Sequence, residues 1–349
     1  MRAFSVFGSL ATVAVLSTAV SAFEPRLHKR LVGGQNIGSN VTYMAHIGVL
    51  PKPFNASNPD NQKGNGGGPD AQFICSGVII SPRFVVTAAH CFLDRTSNAT
   101  SAGDPPMIPV ERLFIGVGSV ESAKSIPIGV KGVRITKEFS YTTLENDIGL
   151  VELATPLTFG SNPPISALKA TTAPIIENQA LTLLGWGKTS LTANTSNPIL
   201  QGVNLVTGMT SDCKAASSIF DTQDGKLICT APSVGKGPCA GDGGSPLVAK
   251  QDGQQVLVGL LGFAKNRNGT APMDCASKDI FSFYAHVSQY ADFIKRATNL
   301  TDDDFLLAPA PDSSKDKAPA STPNSASSIK TGTAFASVAV VAAAMAALF

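Results

Sequence analysis

The chain has 349 residues, with 27 Lys and Arg against 25 Asp and Glu, a net charge of +2, and 43 % hydrophobic residues. The charge is nearly balanced and no basic cluster interleaves with aromatic residues, so nucleic-acid binding has no support. The apolar content is ample for a buried core.

Residues 1–22 read as a secretory signal peptide. Arg2 gives a positive start, an apolar run extends from Val6 to Val20, and Val20-Ser21-Ala22 offers small residues for cleavage. The run is short for a bilayer span, which needs about 20 residues. The mature chain is thus expected outside the cell or on its surface, where disulfides persist. Six N-x-S/T sequons, at Asn40, Asn55, Asn98, Asn194, Asn268 and Asn299, suit that compartment as glycosylation sites.

Between Leu31 and Thr298, short runs rich in Val, Ile, Leu and Phe recur between Gly, Pro and Asn punctuation, at 73–80, 84–87, 113–117, 147–153, 181–186, 255–263 and 280–287. That spacing predicts an all-β barrel or sandwich. Only 288–297 places apolar residues (Tyr290, Phe293, Ile294) at helical intervals, which predicts a short C-terminal helix. Residues 55–70, with Gly66-Gly67-Gly68, and 94–109 read as exposed loops, either tolerated insertions or a partner-recognition rim.

Residues 299–333 read as a Pro/Ala/Ser stalk, densest after Ala308, too poor in large apolar residues to offset its ordering entropy. Residues 334–349 form an apolar tail. Small residues at Asn324-Ser325-Ala326 and a polar spacer before it fit a GPI-attachment signal, with a single-pass tail anchor as the alternative. Any membrane association is expected through this tail alone.

Several motifs occur in a telling order. Arg30-Leu31-Val32-Gly33-Gly34, Thr87-Ala88-Ala89-His90-Cys91, Asn146-Asp147-Ile148-Gly149-Leu150-Val151, Gly185-Trp186-Gly187 and Cys239-Ala240-Gly241-Asp242-Gly243-Gly244-Ser245-Pro246-Leu247 follow one another along the chain. Together they resemble the chymotrypsin/trypsin-like serine protease family. The resemblance implies two six-stranded antiparallel β-barrels with a cleft between them. It implies a pro-segment, 23–30, released by cleavage after Arg30, after which Asp242 pairs with the new α-amine of Leu31. It also implies disulfides Cys75–Cys91, Cys213–Cys229 and Cys239–Cys275, each typically worth about 2–4 kcal/mol. All six cysteines are then paired, and neither a metal nor a cofactor is expected.

In the family's mechanism a histidine takes the serine proton while a buried aspartate orients the imidazole. The resemblance gives those positions to His90 and Asp147. The family's nucleophile loop reads Gly-Asp-Ser-Gly-Gly-Pro, whereas here Gly243 follows Asp242 and the serine comes two residues later, at Ser245. Two steps displace a Cα by roughly 5–7 Å, so Ser245 is a poor substitute nucleophile. The amides of Gly241 and Gly243 keep the makings of an oxyanion hole. The specificity pocket departs from the family as well. Gly237 stands where trypsin-like members carry an aspartate, Gly262 lacks the hydroxyl that bonds the catalytic aspartate, Phe263 and Ala264 alter the substrate edge, and Ser282 replaces a pocket-wall glycine.

The resulting expectation is a secreted protease homologue without proteolytic activity that acts by binding a protein partner. It looks similar to the oomycete glucanase inhibitor proteins, which implies a host plant endo-β-1,3-glucanase or another secreted enzyme as partner. Two readings stand beside it: an active secreted endopeptidase of the trypsin family using Ser245, and a surface adhesion protein on a disulfide-stapled β scaffold.

Overall fold

A computed structural model describes residues 31–57, 71–94, 105–271 and 274–307. Contacts divide the chain into Met1–Pro309 and Ala310–Phe349, and the second unit lies outside the described residues. So do the signal segment 1–22, the pro-segment with Arg30, Asn98, and the tail 334–349.

The first barrel is built from β1 (Met44–Val49), β2 (Gln72–Ser81), β3 (Phe84–Thr87), β4 (Leu113–Val117), β5 (Ile126–Ile135) and β6 (Gly149–Leu153). It closes in the order β1-β2-β3-β6-β5-β4. Its interior is filled by Ala45, Ile47, Ile79, Val85, Ile115, Val117, Val151 and Leu153, inward residues of strands that bury one face.

The second barrel uses β7 (Ala180–Gly185), β8 (Gln201–Val206), β9 (Leu227–Thr230), β10 (Pro246–Gln251), β11 (Gln254–Asn266) and β12 (Ile280–His286). Antiparallel ladders link β8-β7-β10-β11-β12-β9. A Thr207–Thr230 bridge, with Ala231 N–H donating to Val206 O (2.8 Å) and Gly208 N–H to Cys229 O (2.9 Å), joins β9 back to β8 and completes the ring. A third core lies between the barrels, where Met44, Val78 and Leu150 of the first meet Trp186, Val248 and Leu257 of the second.

Five of the twelve barrel strands were not among the sequence expectations: β1, β5, β8, β9 and β10. The strand β5, Ile-Pro-Ile-Gly-Val-Lys-Gly-Val-Arg-Ile, shows why, since one Pro and two Gly break the alternation that marks a strand. A further helix, α1 (Thr210–Ala216), joins the expected C-terminal one, α2 (Ala291–Thr298). It is too short for an apolar stripe and is held by Cys213, bridged to Cys229.

The expected start of the stalk at Asn299 is corrected. Asn299 ends α2 in a left-handed conformation, φ 61°, its N–H bonded to Lys295 O (2.8 Å). A capping box at Thr301 and Asp304 then starts α3 (Asp302–Phe305), and Leu306–Leu307 pairs in parallel with Ala170–Thr171. Phe305 is fully buried in the core between the barrels. The packed domain therefore runs to Leu307, because an apolar triplet finds a strand edge far away in sequence. Phe305→Ala is expected to cost about 3–5 kcal/mol, read as a lowered denaturant midpoint. A chain ending at Thr298 should show a similar loss, and one ending at Leu307 none.

Five of the six sequon asparagines, Asn40, Asn55, Asn194, Asn268 and Asn299, are exposed, and Asn98 lies outside the described residues.

Candidate functional site

His90 lies in a one-turn helix, Ala89–Phe92, directly after β3. The Cys75–Cys91 disulfide ties this turn to β2. Asp147 lies two residues before β6, the strand paired with β3, and is buried. One carboxylate oxygen accepts the His90 backbone N–H (2.8 Å) and the other meets His90 Nδ1 at 2.6 Å. This pair sets Nδ1 on the acid and turns Nε2 toward Gly243 and the Cys75 and Cys91 sulfurs (4.0 and 3.8 Å), the ring orientation a general base requires.

The turn from Cys239 to Ser245 supplies the opposite wall. Cys239 is bridged to Cys275. Gly241 (φ 91°) and Gly244 (φ 70°) adopt left-handed conformations. Any side chain on Gly244 would run into the Thr87 hydroxyl and the Ser76 carbonyl. Ser76 N–H in turn donates to Gly243 O (2.8 Å), so β2 clamps the turn under His90. A Cβ placed on Gly243 would lie 2.5 Å from His90 Nε2 and 3.0 Å from Cys75 Sγ. The imidazole thus occupies the space that a side chain at position 243 would need.

Ser245 is elsewhere. It is 0 % exposed and its Oγ has no hydrogen-bond partner. The hydroxyl is directed at Gly185, 2.7 Å from where a Cβ on that glycine would be, beside Asp242. Gly244 makes a left-handed step between positions 243 and 245, so the chain presents Gly243 to His90 and Ser245 to the second barrel's interior.

These three elements carry the geometry of a histidine–aspartate base beside a tight glycine turn. The family model described as Trypsin matches residues 56–294. The chain belongs to the trypsin family. A trypsin from the beetle Phaedon cochleariae is 32 % identical over 229 residues, covering 65 % of this chain and 79 % of that protein. Trypsin-1 of the crayfish Astacus astacus is 30 % identical over 230 residues, 63 % of this chain and 86 % of its own length. A mosquito protein named Inactive CLIP domain-containing serine protease A3, from Aedes aegypti, is 27 % identical over 244 residues, 67 % of this chain but only 48 % of that longer protein.

The remaining expected site residues can be placed on this trypsin-family frame. Asp242 is fully buried and accepts the N–H groups of Gly187 (2.8 Å) and Cys239 (2.9 Å). Burial pushes its carboxyl up to about 7, against the pull of those two donors. Leu31 is fully buried and the next residue, Val32, bridges Gly237. Among the described residues no cation pairs with Asp242. Among them too, neither the Gly241 nor the Gly243 amide donates to a protein acceptor, which leaves both for a ligand's carbonyl oxygen.

On the specificity side, a Cβ on Gly262 would lie 3.1 Å from Asp147 Oδ2, so a side chain there would reach the acid that this glycine leaves to His90 alone. Phe263 stacks on Phe283 (4.9 Å, 15°), and Lys265 Nζ lies 5.5 Å over the Phe263 ring. Ala264 faces Ser282 across the β11–β12 ladder, and Ser282 is buried. The open space lies elsewhere, and none of Gly237, Gly262, Phe263, Ala264 or Ser282 lines it. There a cleft of about 550 Å³ is lined by His90, Gly241, Gly243 and the Cys75–Cys91 bridge, and by Phe73, Arg112 and Lys188. The last three carried no motif in the sequence, since they come from three distant segments. Cys75, Cys91 and His90 cluster closely, but both sulfurs are committed to the disulfide and are not free metal ligands.

Proposed function

We propose that this trypsin-family chain is a secreted protein that has given up peptide cleavage and acts by binding another protein. The observation that carries the reading is the 2.5 Å gap between His90 Nε2 and the place of a Cβ on Gly243. The base and its orienting acid are in position, and no hydroxyl stands before them. Removing the serine from a working triad costs about 10⁶ in turnover. The burial of Ser245 argues against its serving instead.

Binding is supported by what stays open. The cleft beside His90 is concave and mixed in character, with Gly241, Gly243, Arg112 and Lys188 among its lining residues. Three disulfides suit an oxidising compartment. The mosquito relative's name records inactivity in a protein that shares this domain. The partner is a secreted enzyme, with plant endo-β-1,3-glucanase as the first to test, and the chain is held at the cell surface by a GPI anchor added near its tail.

The test is retention of a purified plant endo-β-1,3-glucanase on the immobilised chain, together with a fall in β-glucan hydrolysis as the chain is titrated in. Retention with unchanged hydrolysis removes the inhibitor part of the reading. Absence of retention removes this partner. Release of the chain from cells by phosphatidylinositol-specific phospholipase C tests the anchor separately.

A further inference from the structure

A second concave site adjoins Asn146, the neighbour of Asp147, and shares no lining residue with the cleft. It encloses about 730 Å³ and is lined by four cations, Arg134, Lys137, Lys226 and Arg296, against two carboxylates, Glu138 and Asp292. Some of these charges are committed. Arg134 pairs with Glu152 (2.9 Å) and donates to Ala297 O (2.7 Å), and Asp292 pairs with Lys295 (3.4 Å). Among the described residues, Lys137, Lys226 and Arg296 have no carboxylate partner. All three are exposed.

The wall between them is preorganised. Asn146 holds a left-handed conformation, φ 54°. Its side-chain N–H donates to Glu138 O (2.9 Å), and its Oδ1 accepts Lys226 Nζ (3.0 Å) and Tyr290 OH (3.4 Å). Its backbone carbonyl accepts the Thr136 hydroxyl (3.0 Å). The nearby stretch 136–138 and the distant residues Lys226 and Tyr290 are thus tied to one residue, and the Lys226 ammonium is fixed at the pocket by a neutral acceptor that leaves its charge uncompensated. A concave site with a few convergent polar groups already in place is the usual form of a ligand pocket.

Three uncompensated cations select an anion. The rest of the lining decides which class. Glu138 and Asp292 repel a uniformly charged polyanion, while Phe293 and the buried Tyr290 offer apolar contact that such a chain does not use. A mixed lining fits a mixed ligand. We propose that this pocket is a second docking site, taking a short acidic peptide segment of a protein partner with an apolar side chain between its carboxylates. The site is separate from the cleft beside His90 and stands whether or not that cleft binds a glucanase.

The experiment is fluorescence anisotropy of a fluorescein-labelled octapeptide of alternating Glu and Phe, titrated with the whole secreted chain. Saturable binding is expected that weakens as salt rises and falls by about tenfold or more in Lys137→Glu/Arg296→Glu. Both positions are exposed, and unchanged thermal unfolding of the variant would show that its fold is intact. His90→Ala is expected to leave the titration unchanged, which separates this site from the cleft. Failure of the peptide to bind, or binding indifferent to the double charge reversal, would overturn the proposal. So would tighter binding of a size-matched sulfated oligosaccharide that displaces the peptide, since it would assign the pocket to glycans.

Discussion

Gly243→Ser, in chain cleaved after Arg30, is expected to hydrolyse an activated ester such as p-nitrophenyl acetate about a thousandfold faster than the unsubstituted chain. The hydroxyl would stand before an imidazole already oriented by Asp147 at 2.6 Å, with the Gly241 amide beside it. Position 243 is not among the left-handed glycines, so a serine there meets no backbone penalty. Full recovery, about 10⁶ for a complete triad, is not expected. The new Cβ would lie 2.5 Å from Nε2, so the imidazole must swing toward the cleft and loosen its bond to the acid. Peptide substrates should gain less than the small ester, as expected from Gly237, Ala264 and Ser282 at the positions that the resemblance gives to the specificity pocket. Ser245→Gly alone should change nothing in turnover. A Gly243→Ser chain no faster than its parent would mean that the site has lost more than one hydroxyl.

The second large effect concerns acid stability. His46 lies between Trp186 and Phe73, with ring centroids 3.5 and 4.5 Å away, and its Nε2 has no partner. Burial pushes its pKa down from 6.5 to about 3. Above pH 6.5 the imidazole is neutral in the folded and the unfolded chain, and its contribution is complete. As pH falls through 6.5 the unfolded chain takes up a proton that the folded chain refuses, so stability is lost until about pH 3. Asp242 acts in the opposite sense. Its carboxyl, raised from 3.8 to about 7, keeps a proton in the folded chain that the unfolded chain has released, so its contribution is fully present below pH 3.8 and is lost as pH rises toward 7. The two dependences largely cancel between about pH 4 and 6.5.

His46→Phe removes one of them. The stability difference between variant and parent is expected to move in the variant's favour by about 1.4 kcal/mol per pH unit below 6.5, approaching roughly 5 kcal/mol near pH 3. Denaturant titrations followed by the fluorescence of Trp186, the chain's single tryptophan, read this directly. A pH-independent difference would mean that His46 is protonated in the folded state.

The base and its acid were legible in the sequence because local motifs carry them, and the structure brings His90 and Asp147 together. Gly243 was legible for the same reason. The fate of Ser245 was not, because it depends on how the chain turns through Gly244, and only the fold puts the hydroxyl at Gly185. The β5 strand was hidden by its Pro and Gly residues. Phe305 was hidden because its burial depends on an edge at Ala170–Thr171, far along the chain. The pocket beside Asn146 was invisible for a related reason: its cations come from separate segments, and each alone resembles an ordinary solvated charge.

The most direct test of the central claim is labelling of the chain cleaved after Arg30 with a fluorophosphonate, read by intact mass and peptide mapping. The unsubstituted chain should carry no adduct, and Gly243→Ser should carry one at position 243. A stoichiometric adduct on Ser245 of the unsubstituted chain would contradict the account, since it would require a buried hydroxyl to be the working nucleophile.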